Sequence, residues 1–327
     1  MIGPFARLRR VLHRKGLLRS ASLPRPVVSV GNLTVGGTGK TPHVQFLARW
    51  LSERGVRVAI LSRGYGRASR GVAWASGEPP AAADSVGDEP ALMARTLPGV
   101  SVIVGESRLE AGREALRRRE VDAFLLDDGF QHLSLRRDAD ILLVDGIRGL
   151  GNRRTLPFGP LREPPDHVRF ADALVVTRCT DPSGAGKVAA ALAFPAGRPV
   201  AATRLAPRCL IDRDGAETAL PPSGTEVTAF AGLAHNDQFE ATLRACGLRV
   251  RGFLSFGDHH RYGPGDIRRI AAASGGLPIV TTEKDLVRLP GGLPFRAHAL
   301  RVGVEFLSGW ESLSRLVLER IGEAAAR

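Results

Sequence analysis

Short apolar segments alternate with amphipathic helical stretches along nearly the whole chain. Runs of Val, Ile, Leu and Ala without polar alternation are typical of strands buried on both faces, as in parallel sheets covered by helices. This order of elements favours an α/β fold with a mainly parallel sheet flanked by helices. The pattern predicts strands in the first part of the chain at residues 26–30, 56–62, 100–104, 123–126, 141–144 and 173–177.

The helical patterns and a change in composition predict how the chain divides. Helices are expected at 40–54 and 108–119, and a stretch rich in Ala, Gly and Pro at 181–197 is typical of a domain boundary. A second αβ pattern follows, which predicts a smaller α/β domain. The expected parts are an N-terminal helix at 1–25, a core domain at 26–195, a second domain at 196–305 and a C-terminal helix at 306–327. Within the second domain, strands are predicted at 226–231, 249–256 and 278–282, and helices at 237–246 and 266–273.

The N-terminal segment is basic and amphipathic. The first acidic residue of the whole chain is Glu53, so the segment contains no acid. On a helix, Phe5, Leu8 and Val11 share the side opposite Arg10. Such a helix can lie in the interface of an anionic membrane. A basic amphipathic helix packed on the protein's own core is the alternative.

Charge and composition narrow the classes of partner. The chain has 46 Lys and Arg against 33 Asp and Glu, a net charge of +13 that predicts attraction to anionic partners. Aromatic residues make up only 6%, with no platform for stacking bases, so no nucleic-acid partner is predicted. No apolar run approaches the roughly 18 residues that span a bilayer. The 3 cysteines have no metal-binding spacing and are expected to be reduced thiols.

A glycine-rich loop at residues 34–41, TVGGTGKT, follows the first strand and precedes a helix. Backbone N–H groups of Gly36, Gly37, Thr38 and Gly39 can converge on phosphate oxygens. Lys40 would reach the β- and γ-phosphates, and the Thr41 hydroxyl would bind Mg²⁺. The first position of the generic loop is Thr34 instead of glycine. The segment predicts a site for a nucleoside triphosphate.

Carboxylates after other strands could complete this site. Asp127 and Asp128 end a predicted strand, where a Mg²⁺-coordinating Asp is expected; an Asp-Gly turn is the structural alternative. Asp88 opens a helix and could be a plain N-cap. His259, beside Asp258, follows a strand of the second domain and could form part of a base or of a turn.

The long segment 146–166, rich in Gly, Pro and Arg, is typical of a functional loop.

Taken together, these segments resemble the tetraacyldisaccharide 4′-kinases, the lipid A 4′-kinase family. The most specific stretches are SVGNLTVGGTGKTP at 29–42 and LDDGFQH at 126–132. The likeness runs in order from about residue 5 to residue 290, and the Thr34 departure is shared with the family's own loop. The other matching stretches are 61–67, 87–90, 159–164, 230–233, 256–259 and 281–285.

The resemblance implies an enzyme, a phosphotransferase that acts on an alcohol group with ATP and Mg²⁺. The product would be lipid IVA, made at the 4′-hydroxyl of an acylated glucosamine disaccharide 1-phosphate. The resemblance also implies a peripheral protein on the cytoplasmic face of the inner membrane. By motif, catalysis would involve Lys40, Asp128 and an acid–base pair of Asp88 and His259. The implied metal ligands are Thr41, Asp127, Asp128 and Glu163, with Arg162 beside the phosphates.

Three other functions share some of these features. A P-loop GTPase or ATPase of the metal-chaperone or partitioning type shares the phosphate loop, but residues 175–181 lack the Asn and Lys of a guanine reader. A kinase for a soluble metabolite would act on acceptors without acyl chains. A basic nucleic-acid-binding protein fits the charge alone.

Overall fold

The computed structural model describes residues 2–77, 81–233, 236–258 and 260–325. Within these residues one continuous sheet of 13 strands runs through the molecule, in the order β11-β10-β12-β13-β8-β7-β6-β1-β5-β2-β4-β3, with β9 paired to β8. The strands of the first half are Val27–Asn32 (β1), Val58–Ser62 (β2), Ala73–Trp74 (β3), Ser101–Val104 (β4), Ala123–Asp127 (β5), Ala139–Asp145 (β6) and Ala173–Thr177 (β7). The remaining strands are Val200–Ile211 (β8), Glu217–Thr218 (β9), Glu226–Ala231 (β10), Arg249–Ser255 (β11), Ile279–Thr282 (β12) and Ala297–Ser308 (β13).

Helices cover both faces of this sheet, which explains the uninterrupted apolar character of its inner strands. Those of the first half are Ile2–Arg14 (α1), Lys40–Ser52 (α2), Ala83–Val86 (α3), Asp88–Thr96 (α4), Arg108–Arg118 (α5) and Gly184–Ala191 (α6), with a 3₁₀ helix at Pro165–Phe170. Those of the second half are Asn236–Ala245 (α7), Pro264–Ser274 (α8), Glu283–Arg288 (α9) and Trp310–Ala325 (α10). The predicted mainly parallel α/β fold is confirmed.

Two strands that the hydrophobic pattern did not predict, β8 and β13, join the halves of the sheet. Each has 12 residues and they pair antiparallel. The start of β8 pairs with β7 in the first half, and the start of β13 pairs with β12 in the second. Pro207 and charged residues interrupt the apolar pattern of β8, and the register shifts beside this proline. A strand with a proline at such an irregularity escapes sequence analysis because it lacks a regular alternation.

The last helix returns to the first half of the molecule. Strand β13 extends to Ser308, so α10 begins at Trp310, later than the predicted helical stretch. The Trp310 ring lies 5.0 Å from the Phe46 ring and 4.9 Å from the Trp50 ring of α2. Leu313 and Val317 are buried in the same core. The C-terminal helix therefore packs directly against the helix that follows the glycine-rich loop.

Replacing Leu313 by Ala should lower the free energy of unfolding by about 2–5 kcal/mol, because it opens a cavity in a packed core. Leu318→Ala in the same helix is the control, since Leu318 is 42% exposed and Leu313 only 1%. That control should change stability by less than about 0.5 kcal/mol. Urea denaturation of both variants measures the difference; equal losses would contradict the packing described here.

Candidate active site

The glycine-rich loop occupies the segment between the end of β1 and the start of α2. Gly36 has φ 100 and Gly39 has φ 81, both in the left-handed region that glycine adopts at little cost. Gly39 is the N-cap residue of α2, so the loop lies at the positive end of that helix dipole. Unpaired N–H groups and a positive dipole make this end of α2 a site for an anion.

Asn32, the last residue of β1, holds this loop in place. Its side-chain amide donates to Thr38 Oγ1 at 2.9 Å and to Thr34 Oγ1 at 3.3 Å. Its Oδ1 accepts from Lys40 Nζ at 3.2 Å and also from Arg162. Asn32 is not among the predicted site residues, although an amide inside an otherwise apolar strand indicates that it binds a group nearby.

The two aspartates lie beside the loop because β5 is the neighbour of β1. Asp127 is opposite Val30 in the parallel register, so the carboxyl end of β5 meets the start of the loop. Asp128 has φ 57, a left-handed conformation that costs energy in a residue other than glycine. Its carboxylate lies 3.8 Å from Lys40 Nζ. The structure thus brings together Lys40, Asp127 and Asp128.

The two carboxyl groups have opposite electrostatic surroundings. Asp127 is 2% exposed, and burial, followed by the charges of Glu89 and Asp128, raises its pKa to about 7. Ser62 Oγ donates to its Oδ2 at 3.0 Å, whereas Oδ1 has no hydrogen-bond partner among the described residues. Asp128 accepts two bonds from the Arg162 guanidinium, at 2.7 and 2.8 Å. Burial works against ionisation of Asp128, but Arg162 and Lys40 lower its pKa overall.

The segment 159–162 runs antiparallel to the loop and delivers Arg162. Val35 N donates to Pro160 O at 2.8 Å, and Arg162 N donates to Leu33 O at 2.7 Å. The predicted functional segment 146–166 therefore contacts the glycine-rich loop through its backbone.

Glu163, the residue after Arg162, contacts the N-terminal helix and the 3₁₀ helix. It is 3% exposed and accepts from Arg10 Nη2 at 2.8 Å and from His167 Nδ1 at 3.0 Å. Among the described residues neither Asp127 nor Asp128 shares a hydrogen bond with it. Its role as a metal ligand stays a prediction, and the observed contacts instead make it the buried partner of the N-terminal helix.

Asp88 lies at the start of α4 without capping it, since Gly87 is the N-cap residue. Asp88 Oδ2 accepts from Arg288 Nη2 at 2.6 Å, and the neighbouring Glu89 accepts from Lys284 Nζ at 2.6 Å. Although burial opposes it, the Lys284 ammonium lowers the pKa of Glu89. The predicted site residues do not include Glu89, Lys284 or Arg288, although all three lie in or near the matching stretches 87–90 and 281–285.

His259 lies outside the described residues, so its predicted role as a base stays a prediction. The next residue, His260, has structural contacts. Its Nε2 lies 3.0 Å from Asp266 Oδ2, and its ring stacks on Phe256 at 4.8 Å. Of the two adjacent histidines, His260 is thus occupied in positioning the start of α8.

His43, in the first turn of α2, connects the loop to β8. Its Nδ1 lies 2.8 Å from Gly39 O, and its Nε2 lies 3.0 Å from Thr203 Oγ1. A carbonyl oxygen can only accept, so Nδ1 carries the proton and Nε2 accepts from the Thr203 hydroxyl. Burial lowers the pKa of His43 to about 4, which keeps the ring neutral.

A cluster of basic side chains lies between the aspartates and the N-terminal helix. Burial lowers the pKa of Arg108 to about 10, and the nearby Asp127 carboxyl opposes that shift. Burial, and then the charges of Arg108, Arg137 and Arg9, lower the pKa of His132 to about 4. Positive charge therefore extends from Asp127 to α1, and this distribution suits an anionic ligand.

Over the described residues, no three His, Cys, Asp or Glu side chains converge in a way that would hold a metal ion by themselves. Mg²⁺ in nucleotide sites is usually held by one or two carboxylates together with phosphate oxygens and water. The unpaired Oδ1 of Asp127 and the buried Thr41 hydroxyl beside Lys40 fit that kind of site.

A phosphate loop after a central parallel strand, with acids at the carboxyl end of the adjacent strand, defines a P-loop kinase fold. The chain belongs to the family described as Tetraacyldisaccharide-1-P 4′-kinase, whose sequence model matches residues 1–322. This finding confirms the resemblance read from the motifs.

Individual relatives agree with the family assignment. The chain is 45% identical to the tetraacyldisaccharide 4′-kinase of Anaeromyxobacter dehalogenans (strain 2CP-C), over 94% of this chain and 85% of that protein. Identity to the enzyme of Geobacter metallireducens is 43%, over 86% of this chain and 84% of that protein. The solved "apo" form of LpxK from Aquifex aeolicus, in complex with ATP, is 37% identical with a TM-score of 0.82. That similarity covers 98% of this chain and 96% of the Aquifex chain.

The raised pKa of Asp127 predicts how stability depends on pH without metal or nucleotide. The folded protein keeps a proton that the unfolded chain releases between about pH 4 and 7, so wild-type stability falls as pH rises through this window. Asp127→Asn removes this loss and should be more stable than wild type at pH 8 by about 1–3 kcal/mol. Urea midpoints measured in a chelator from pH 5 to 8 test this.

Asp122→Asn is the matched control, because Arg57 lowers the pKa of Asp122 to about 2. Its carboxylate stabilises the folded state above about pH 4, and this contribution is lost as pH falls towards 2. The control should therefore be less stable than wild type near neutrality. A stability difference for Asp127→Asn that does not grow between pH 5 and 8 would contradict the assigned protonation.

Proposed function

We propose that this chain transfers the γ-phosphoryl group of ATP to the 4′-hydroxyl of an acylated glucosamine disaccharide 1-phosphate, giving lipid IVA. Family membership and the names of its relatives support the reaction, and the Aquifex relative was solved with ATP. The observation that carries it furthest is the convergence of Lys40, Asp127 and Asp128 at the phosphate loop. The alternative of a metal-chaperone or partitioning NTPase is not favoured, because the family model matches a kinase along nearly the whole chain.

Mg²⁺ would be held by Asp127, with Thr41 and the nucleotide phosphates as further ligands. When bound, the ion supplies positive charge that stabilises the transferring phosphoryl group. It would also keep Asp127 ionised, which burial alone disfavours. Asp128 is less open to a metal because Arg162 binds both of its oxygens. Its proposed role is to orient Arg162 and Lys40 around the phosphates.

The residues of the chain supply the rest of the chemistry by positioning and charge. Lys40 neutralises the phosphate oxygens, which is the main requirement of phosphoryl transfer. The acceptor hydroxyl must lose a proton as it attacks. Asp88, at the N-terminus of α4, and His259 are the proposed acid–base pair for this step. Because they belong to different halves of the molecule, closure of the second half over the nucleotide would assemble them.

The basic cluster indicates where the anionic end of the acceptor would lie. Asp127 is close enough to Arg108 to oppose the lowering of its guanidinium pKa by burial. Arg9 of α1 is close enough to His132 to add to the lowering of its imidazole pKa by burial. An acceptor carrying a 1-phosphate would be attracted along this line of positive charge. The acceptor would therefore approach the phosphate loop from the side of the N-terminal helix.

That helix is oriented as expected for a peripheral membrane protein. Its basic side faces the protein, through the buried Arg10–Glu163 ion pair at 2.8 Å and the Arg7–Asp166 pair. Its apolar side is outward, with Phe5 68% and Leu8 56% exposed. The exposed Phe5 and Leu8 therefore lie outside the core, whereas Arg10 packs on it. Exposed apolar side chains on a basic surface favour an anionic membrane, and we place the enzyme on the cytoplasmic face of the inner membrane.

None of the helices within the described chain combines the length and the apolar character needed to cross a bilayer.

The kinase reaction is tested with γ-labelled ATP and detergent-dispersed disaccharide 1-phosphate. Wild-type protein should yield labelled lipid, and Lys40→Ala should lower kcat by about a hundredfold or more, because a charge facing the transition state is lost. Lys187→Ala is the control, since Lys187 is exposed on α6. Absence of labelled lipid with folded wild-type protein would refute the proposed reaction.

The membrane proposal is tested with Phe5→Ser/Leu8→Ser, which removes apolar side chains that touch little of the protein. Truncation of α1 is less informative, because it would leave Glu163 buried without Arg10. Sedimentation with anionic vesicles should show at least about a tenfold weaker association, while ATP affinity is unchanged. Leu318→Ser, another exposed leucine, should bind vesicles as wild type does. Equal binding by both variants would contradict the proposal.

A further inference from the structure

Two basic side chains of α9 reach across to the start of α4. Lys284 and Arg288 are four residues apart and therefore lie on one side of the short helix. They contact consecutive acids, Glu89 and Asp88, each through a nitrogen–oxygen distance of 2.6 Å. Helix α9 belongs to the second half and α4 to the first, so these ion pairs join the halves on the side of the phosphate loop.

On the side of the second half, Arg288 is anchored by a buried carboxylate. Asp285 is 0% exposed and accepts from Gly232 N at 3.0 Å, Tyr262 OH at 2.9 Å and Thr282 Oγ1 at 2.7 Å. The guanidinium of Arg288 contacts the same carboxylate at 3.3 Å and is itself 5% exposed. Because Asp285 fixes Nη1 of Arg288, the other terminal nitrogen, Nη2, has a defined position opposite Asp88.

On the side of the first half, the start of α4 is equally constrained. Gly87 has φ 95, and a Cβ at this position would come within 3.0 Å of Tyr65 O and 3.2 Å of Gly64. The acids that follow are therefore set by close backbone packing. Glu89 in turn lies near enough to Lys40 and Asp128 to interact with their charges. A small movement of this turn would consequently change the charge interactions of Glu89 with Lys40 and Asp128 at the phosphate site.

We propose that Lys284 and Arg288 are positioning residues for phosphoryl transfer, which hold the Asp88–Glu89 turn against the reaction centre from the second half of the molecule. The proposal rests on the role of Asp88 proposed above. The ion pairs act as a clamp that becomes complete only when α9 and α4 are in contact, so the position of the proposed acid–base residue depends on how the halves are docked. Nucleotide binding, by contrast, is proposed to depend on the glycine-rich loop and on Asn32, which holds that loop in place.

The clamp predicts a specific kinetic signature. Arg288→Met and Lys284→Met should lower kcat by about ten- to a hundredfold while KM for ATP changes less than about twofold, since misplacement of a reacting group by about 1 Å has effects of that size. Lys284→Arg should recover most of the activity. Arg288→Lys should recover part of it, because an ammonium cannot span both Asp88 and Asp285. Arg251→Met, which breaks an exposed ion pair elsewhere in the second half, is the control and should match wild type.

A double-mutant cycle between Arg288→Met and Asp88→Asn, read by urea denaturation, tests the clamp without any assay of transfer. A combined effect on stability that differs from the sum of the two single effects supports direct coupling, and strictly additive effects overturn it. Wild-type kcat in both α9 methionine variants of an active enzyme would also overturn it. A parallel rise in KM for ATP would assign α9 to nucleotide binding instead and so refute the clamp. If wild-type protein transfers no phosphate, the proposed reaction fails, and the cycle alone decides whether the clamp exists.

Discussion

The site depends on the balance of charge at the carboxyl edge of the sheet. Three acids, Asp127, Asp128 and Glu89, lie close together, and burial, together with the charges of Glu89 and Asp128, raises the pKa of Asp127. They are tolerated there because Lys40, Arg162 and Lys284 come from three separate segments to offset them. Asp127 alone lacks a basic side chain within bonding distance among the described residues, and its pKa is raised accordingly. Asp127 thus lacks a basic partner of its own within the described chain, and a divalent cation carried with the nucleotide would supply positive charge beside it.

The continuous sheet explains how two halves with separate cores act on one site. Strand β8 pairs with β7 of the first half, β13 pairs with β12 of the second half, and β8 and β13 pair with each other, so these two strands join the halves. The middle of β8 is less buried than its ends, and β13 is mostly half-buried after Leu300. The expected division into domains at 26–195 and 196–305 remains a proposal. Each half has its own buried apolar side chains, which is compatible with this division. The backbone hydrogen bonding of the sheet nevertheless continues from one half into the other. Contacts of α9 with α4, and of His43 with Thr203, are among the side-chain links across this junction.

The N-terminal helix illustrates why amphipathic patterns need a tertiary context. In most surface helices the apolar side is buried, but in α1 the buried positions are Gly3, Ala6 and Arg10. A buried arginine is stable here because Glu163 pairs with it and the rings of Phe130 and Phe170 lie 4.7 and 4.9 Å from its guanidinium. The outward apolar side is then available to a lipid surface.

The sequence by itself determined the α/β class, most of the strands, the phosphate loop and the family, because each is encoded within a short segment. Continuous apolar runs identify buried parallel strands, and a glycine-rich turn ending in Lys40 and Thr41 carries its chemistry in its own backbone. It did not reveal β8 and β13, whose apolar pattern is interrupted, nor Asn32, Glu89, Lys284 and Arg288 as parts of the site. Only the tertiary structure decided that Glu163 pairs with Arg10, that the apolar side of α1 faces outward, and that α9 contacts α4. Those outcomes depend on which charged side chains are buried next to one another. Because these residues are distant in the chain, they come together only when the sheet has assembled.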